Sequence, residues 1–188
     1  VIKKTIQALE LKAGETIIEI GPGNGALTIP LAKHCATRDC AVIGIEKDKT
    51  LHAKLIERSL PHAQFILDDA IEALPKLTQQ IKTPYKIVGN IPYYITGKIL
   101  RVISELETKP SLTILMIQEE VGERLTAEPP RMNLLAAATH IWATPRIIAR
   151  LKPKDFNPPP KVNSVVVALT TKTNALNPSE GKKYYECI

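Results

Sequence analysis

The stretch Thr16 to Thr28, TIIEIGPGNGALT, decides how the chain folds. An isoleucine-rich run reads as a buried strand, the glycines Gly21, Gly23 and Gly25 read as a loop, and Leu27, Leu31 and Cys35 then recur on one helix face. Pro30 falls near that helix's start, where a missing N–H costs least. Strand, glycine loop and helix in this order mark the place where a doubly wound sheet presents its ligand crevice.

Four further apolar runs extend the pattern: AVIGIE at 41–46, AQFIL at 63–67, YKIVGN at 85–90 and SLTILMIQ at 111–118. Continuous rather than alternating apolarity predicts strands covered on both faces, hence a parallel sheet with crossover helices. Leu51, Leu55 and Ile56 mark the inner face of one such helix. After Pro145 the rhythm changes. RIIARL at 146–151 and SVVVALTT at 164–171 are separated by KPKDFNPPPKVN, too short for a crossover helix, so they are expected to pair antiparallel as an edge hairpin. The fold class is therefore α/β, a doubly wound and mostly parallel sheet.

The 188 residues, 44% of them apolar, suffice for one sizeable core. No run approaches the roughly 20 apolar residues of a membrane span, and VIKKTIQALEL lacks the apolar centre of a signal peptide. A cytoplasmic protein is expected. Cys35, Cys40 and Cys187 have neither zinc nor dithiol spacing, and are expected as free thiols in a reducing compartment. No metal ligand set is expected. The net charge of +6 favours a polyanionic partner, and the short charge runs mean that folding must assemble its surface.

Gly21, Gly23 and Ala26 also fit the loose dinucleotide pattern. Two neighbours disfavour a pyrophosphate: Pro22 removes a backbone donor, and Glu19 places a carboxylate beside the loop. A cation suits the loop better. S-adenosylmethionine carries a sulfonium and an ammonium. Glu46 lies 21 residues past Gly25, close to the ~20-residue interval at which an acid meets ribose hydroxyls. Asp69, with Asp68 as its competitor, follows the third strand and is placed to accept from an adenine amino group or to cap the helix of IEAL.

NIPYY at 90–94 ends the fourth strand. An amino nitrogen conjugated to a purine has its lone pair delocalised into the ring. Two acceptors for its two hydrogens favour a pyramidal nitrogen whose lone pair faces an electrophile. Asn90 offers a side-chain carbonyl, and the Ile91 carbonyl, freed from sheet pairing by Pro92, offers the second. Tyr93 presents a face for an unstacked base. Read alone, the stretch is a turn with two packing tyrosines.

EIGPGNG, GIEKD, DDA, GNIPYYIT, MIQEEVGERL and FNPPPKVNSVVV occur in one order over most of the chain. Together they resemble the ribosomal RNA adenine dimethyltransferases of the KsgA type, related to the Erm resistance methyltransferases. The resemblance implies a seven-stranded Rossmann-like class I methyltransferase sheet. It implies S-adenosyl-L-methionine held by Glu19, Gly21, Gly23, Gly25, Glu46, Lys47, Asp69, Ala70 and Asn90. The catalytic set is Asn90, Ile91, Pro92, Tyr93 and Phe156, with Phe156 as a second aromatic wall against the target base.

The implied reaction is dimethylation of two adjacent adenosines in a hairpin near the 3′ end of small-subunit rRNA, on a pre-30S-type particle, by a monomer. Arg124, Arg131, Lys152, Lys154 and Lys161 are the expected phosphate contacts, although Arg124 has Glu120 four residues away as an alternative partner. GPGNG and NIPYYIT stand nearer this branch than the Erm branch acting on 23S rRNA. A nicotinamide-dependent dehydrogenase on the same sheet leaves NIPYY and Phe156 idle, and a non-catalytic assembly factor leaves Asn90 without a task.

Residues 1–172 are expected to form the methyltransferase domain, lacking the family's upstream segment. Residues 173–188, with Asn177-Pro-Ser-Glu as turn and cap, are expected to begin a truncated helical RNA-binding domain.

Overall fold

The computed structural model describes residues 2–156 and 159–175, with the backbone alone for Tyr93. After helix α1 (Ile2–Leu9), strands β1 (Thr16–Ile20), β2 (Ala41–Glu46), β3 (Ala63–Leu67), β4 (Tyr85–Asn90) and β5 (Leu112–Gln118) alternate with helices. These are α2 (Thr28–Ala36), α3 (Lys49–Glu57), α4 (Ala70–Gln80) and α5 (Thr96–Glu105). Helices α6 (Glu119–Leu125) and α7 (Leu134–His140) lead into β6 (Ala143–Leu151) and β7 (Ser164–Thr171). The seven strands form one sheet in the order β3-β2-β1-β4-β5-β7-β6.

β1 is parallel to β2 on one side and β4 on the other, with Ile20 beside both Ile45 and Gly89. The strand order reverses between β1 and β4, so a crevice opens outside their carboxyl ends. The expected hairpin is present: β7 pairs antiparallel with β6 and also with β5. β6 begins earlier than the apolar run suggests and includes Pro145, which an edge strand tolerates.

Each face of the sheet carries its own core. Ile18, Ile87 and Val167 pack with Leu74 of α4 and Ile99 and Ile103 of α5. On the other face Ile17, Val88 and Val166 pack with Leu9 of α1 and Leu31 of α2. Every residue of β1 is buried, as the continuous apolarity requires.

Two expectations fail. On α3, Leu55 is buried but Ile56 is 51% exposed, because the outer strands accept only a narrow stripe of that helix. Cys35 and Cys40 are not free thiols: they form a disulfide, their Cα atoms 4.6 Å apart where the turn after α2 doubles back into β2. Cys187 and the Asn177 turn lie outside the described residues. Lys172 donates its N–H to the Trp142 carbonyl, and Ala175 packs against the core.

Lys86 interrupts β4 without disturbing it. Its ammonium is buried, donates to the Leu9 and Glu10 carbonyls at 2.7 and 3.0 Å, and pairs with buried Glu15 at 2.8 Å. It satisfies carbonyls at the end of α1 that the helix cannot bond itself. Lys86→Met leaves Glu15 buried without its counter-ion, an expected loss of about 3–5 kcal/mol in urea unfolding. An unchanged midpoint contradicts this anchoring role.

Candidate active site

The crevice between β1 and β4 holds a cavity of about 440 Å³. Its floor comes from the glycine loop, where Gly21, Gly23 and Gly25 adopt φ of 66°, 58° and 78°. At Gly21 a side chain would strain the backbone and project into open space, the requirement of a loop that a ligand approaches closely. Asn90, exposed at the end of β4, and Phe156, half-buried before β7, line the same cavity. Residues far apart in sequence therefore converge where strand order reverses.

Glu19 also lines this cavity and is 3% exposed. Its Oε2 has no hydrogen-bond partner. Burial pushes its carboxyl up to about 7; the neighbouring Thr28 hydroxyl pulls the other way, and Glu46 adds a smaller upward push. A buried, unpartnered acceptor on a residue that lines a cavity is costly to the fold and suited to a cationic ligand.

Glu46 is buried and holds the loop in place, accepting from the Gly23 N–H and the Asp48 N–H, both at 2.9 Å. Each oxygen keeps a second lone pair. Asp69 caps α4 by accepting from the Ile71 N–H at 2.9 Å, and pairs with Lys47 at 2.7 Å. Hydrogen bonding to Lys47, then to Ile71, holds its carboxyl below the usual range. Asp68 accepts from the Asp69 N–H. Among the described residues Glu46, Lys47, Asp69 and Ala70 stand outside the cavity's lining, along the neighbouring ends of β2 and β3.

After Asn90 the Ile91 N–H donates to the Met116 carbonyl at 3.1 Å, while Pro92 turns the chain into a 3₁₀ turn at Tyr93–Ile95. No described turn or loop N–H donates to the Ile91 carbonyl. The Tyr93 side chain lies outside the described residues. Gly89 fits because a Cβ there would meet the Ile20 carbonyl at 2.8 Å. That close packing fixes where Asn90 emerges.

The five expected cationic contacts are all exposed. Lys152 precedes and Lys154 lies within the short Pro153–Asp155 turn before Phe156, and Arg131 follows the Pro129-Pro130 turn. Lys161 lines a separate hollow with Glu119, Glu120 and Glu123. No described ion pair joins Arg124 to Glu120; Arg150 instead bridges Glu119 and Glu123. Ile2 and Thr5 of α1 and Met116 also line the cavity. Thr5, the polar residue buried on an amphipathic helix, is the one whose pattern hints at such a role. Among the described residues no His, Cys, Asp and Glu cluster has a metal site's geometry, and no helix is long and apolar enough to cross a membrane.

The family model described as ribosomal RNA adenine dimethylase matches residues 1–188. A ribosomal RNA small subunit methyltransferase A of Dehalococcoides mccartyi is 34% identical over 178 residues, 94% of this chain and 60% of that protein. One of Prosthecochloris aestuarii is 34% identical over 182 residues, covering 95% and 67%. The chain thus spans about 60% of the length of the Dehalococcoides relative.

Among solved structures, a dimethyladenosine transferase from Plasmodium falciparum superposes with a TM-score of 0.79 at 26% identity, covering 93% of this chain and 62% of that one. The 23S rRNA methyltransferase ErmE superposes with a TM-score of 0.81 at 26% identity, covering 98% and 73%. The seven-stranded sheet is the methyltransferase fold, and the chain belongs to the ribosomal RNA adenine dimethylase family.

Proposed function

We propose that the chain carries the catalytic machinery of an S-adenosylmethionine-dependent dimethyltransferase acting on the N6 of two adjacent adenosines in small-subunit rRNA during ribosome biogenesis. The observation that carries this reading is the sharing of one cavity by Asn90, Phe156, the glycine loop and the unpartnered carboxyl of Glu19. A cytoplasmic setting goes with that substrate.

Bound S-adenosylmethionine would supply an electrophilic methyl carbon on a sulfonium. Glu19 would receive its ammonium, and the lone pairs left on Glu46 would accept from ribose hydroxyls. Asp69, or Asp68 beside it, would accept from the adenine amino group; for Asp69 this requires exposed Lys47 to swing away. Asn90 Oδ1 and the Ile91 carbonyl would accept the two N6 hydrogens and aim the nitrogen lone pair at that carbon. Once methylated, the N6 nitrogen would be acidic and would lose a proton to water, so no side chain would be needed as a dedicated base. Phe156 would wall the base, with Tyr93 as its opposite face, and Lys152 and Lys154 would hold phosphates beside it.

The small-subunit relatives at 34% identity favour that substrate over 23S rRNA, for which the ErmE structure stands at 26%. Calorimetric titration tests the cofactor. S-adenosylmethionine should give a saturable heat whose affinity Glu19→Gln lowers about 10²-fold; a response to NADH alone would replace this reading with the dehydrogenase.

A further inference from the structure

Tyr94 is 85% exposed, the most exposed of the large hydrophobic side chains described. It lies in the 3₁₀ turn four residues past Asn90, and exposed Lys98 follows one helical turn later on α5. Lys47, 76% exposed, leaves the end of β2, two strands from β4 and so roughly 10 Å across the same sheet edge. Lys47 is already paired with Asp69, whereas Lys98 acts on that carboxylate only from beyond ion-pair distance. Lys98 is therefore the cation available to an outside anion.

This aromatic and cationic rim lies on the β2 side of Asn90. Lys152, Lys154 and Lys161 flank β6 and β7 on the opposite side. An exposed aromatic face beside an ammonium matches a nucleotide in both its parts, the base by stacking and the phosphate by charge.

Resting on the reading of an RNA substrate above, we propose that Tyr94 and Lys98 form a subsite for the nucleotide adjoining the target adenosine, with the base stacked on Tyr94 and its phosphate held by Lys98. The strand would cross the sheet's carboxyl edge from the Lys152 side, over Asn90, to this rim. Tyr94 acts here by positioning, while the chemistry stays with Asn90.

The test is a cycle on a small-subunit hairpin RNA with either neighbour of the target adenosine made abasic. Tyr94→Ala should weaken retention of intact RNA roughly five- to hundredfold, with Tyr94→Trp restoring it. It should cost little further on one of the abasic RNAs. Lys98→Ala should reduce the slope of log affinity against log salt by about 1. S-adenosylmethionine binding should not change in either variant, which separates this subsite from a loss of fold. Additive penalties for Tyr94→Ala and both abasic RNAs overturn the subsite and leave methyl transfer standing. Failure of the wild-type chain to retain the hairpin overturns both.

Discussion

Replacing Asn90 with alanine is expected to lower methyl incorporation into undermodified small-subunit RNA by about 10²–10³-fold, the scale on which loss of one preorganised polar group is felt in a reacting site. RNA retention should stay near wild type. The reason is local. Asn90 is exposed at the end of β4, in register with Met116 of β5, and its side chain reaches the cavity without bearing on either core. Removing the amide removes an acceptor for one N6 hydrogen and lets the nitrogen relax toward planarity. Asn90→Asp separates acceptor from charge: it keeps an oxygen acceptor and adds a negative charge, so it should retain more incorporation than the alanine variant. Equal activity of Asn90→Ala and wild type ends the role given to this residue.

Glu19→Gln is expected to do two opposite things. The folded carboxyl holds its proton to about 7, whereas in the unfolded chain it titrates near 4.5. Between those values the native state binds more protons, so stability falls as pH rises through the window and the ionised carboxylate is a net cost above it. The glutamine variant should therefore gain up to about 3 kcal/mol over wild type in urea at pH 8, and nothing at pH 4, where both side chains are neutral. The same substitution removes the anion facing the cavity. S-adenosylmethionine affinity should fall about 10²-fold, and wild-type affinity should rise with pH between about 6 and 7.5 as Glu19 ionises. A variant less stable at pH 8 would show that Glu19 belongs to the fold rather than to the ligand.

The parallel sheet was legible because β1, β4 and β7 are buried on both faces and can only be written as continuous apolar runs. The edge hairpin was legible from the length of the proline-rich connection. The glycine loop and NIPYY could be placed at the same crevice because both follow strands that the topology sets side by side. Contacts set by side-chain geometry were hidden. Nothing in GIEKD says that Glu46 accepts from the Gly23 N–H, or that Lys47 reaches Asp69, since both contacts depend on how β2 ends relative to its neighbours. The contribution of α1 was missed because its amphipathic pattern reads as core packing, and only the Lys86 anchor shows what holds it against the cavity. The Cys35 to Cys40 bond needed a turn whose return path five residues do not announce.

The most direct test of the geometry at Asn90 is mass spectrometry of nucleosides released from undermodified small-subunit RNA after incubation with the chain and S-adenosylmethionine. The expected product carries two methyl groups on the exocyclic N6 of adenosine, at two neighbouring positions of one hairpin, and disappears with Asn90→Ala. Methyl groups on a ring nitrogen, on ribose or on another base would mean that the Asn90 and Ile91 carbonyls do not present N6 to the cofactor, and would contradict the mechanism.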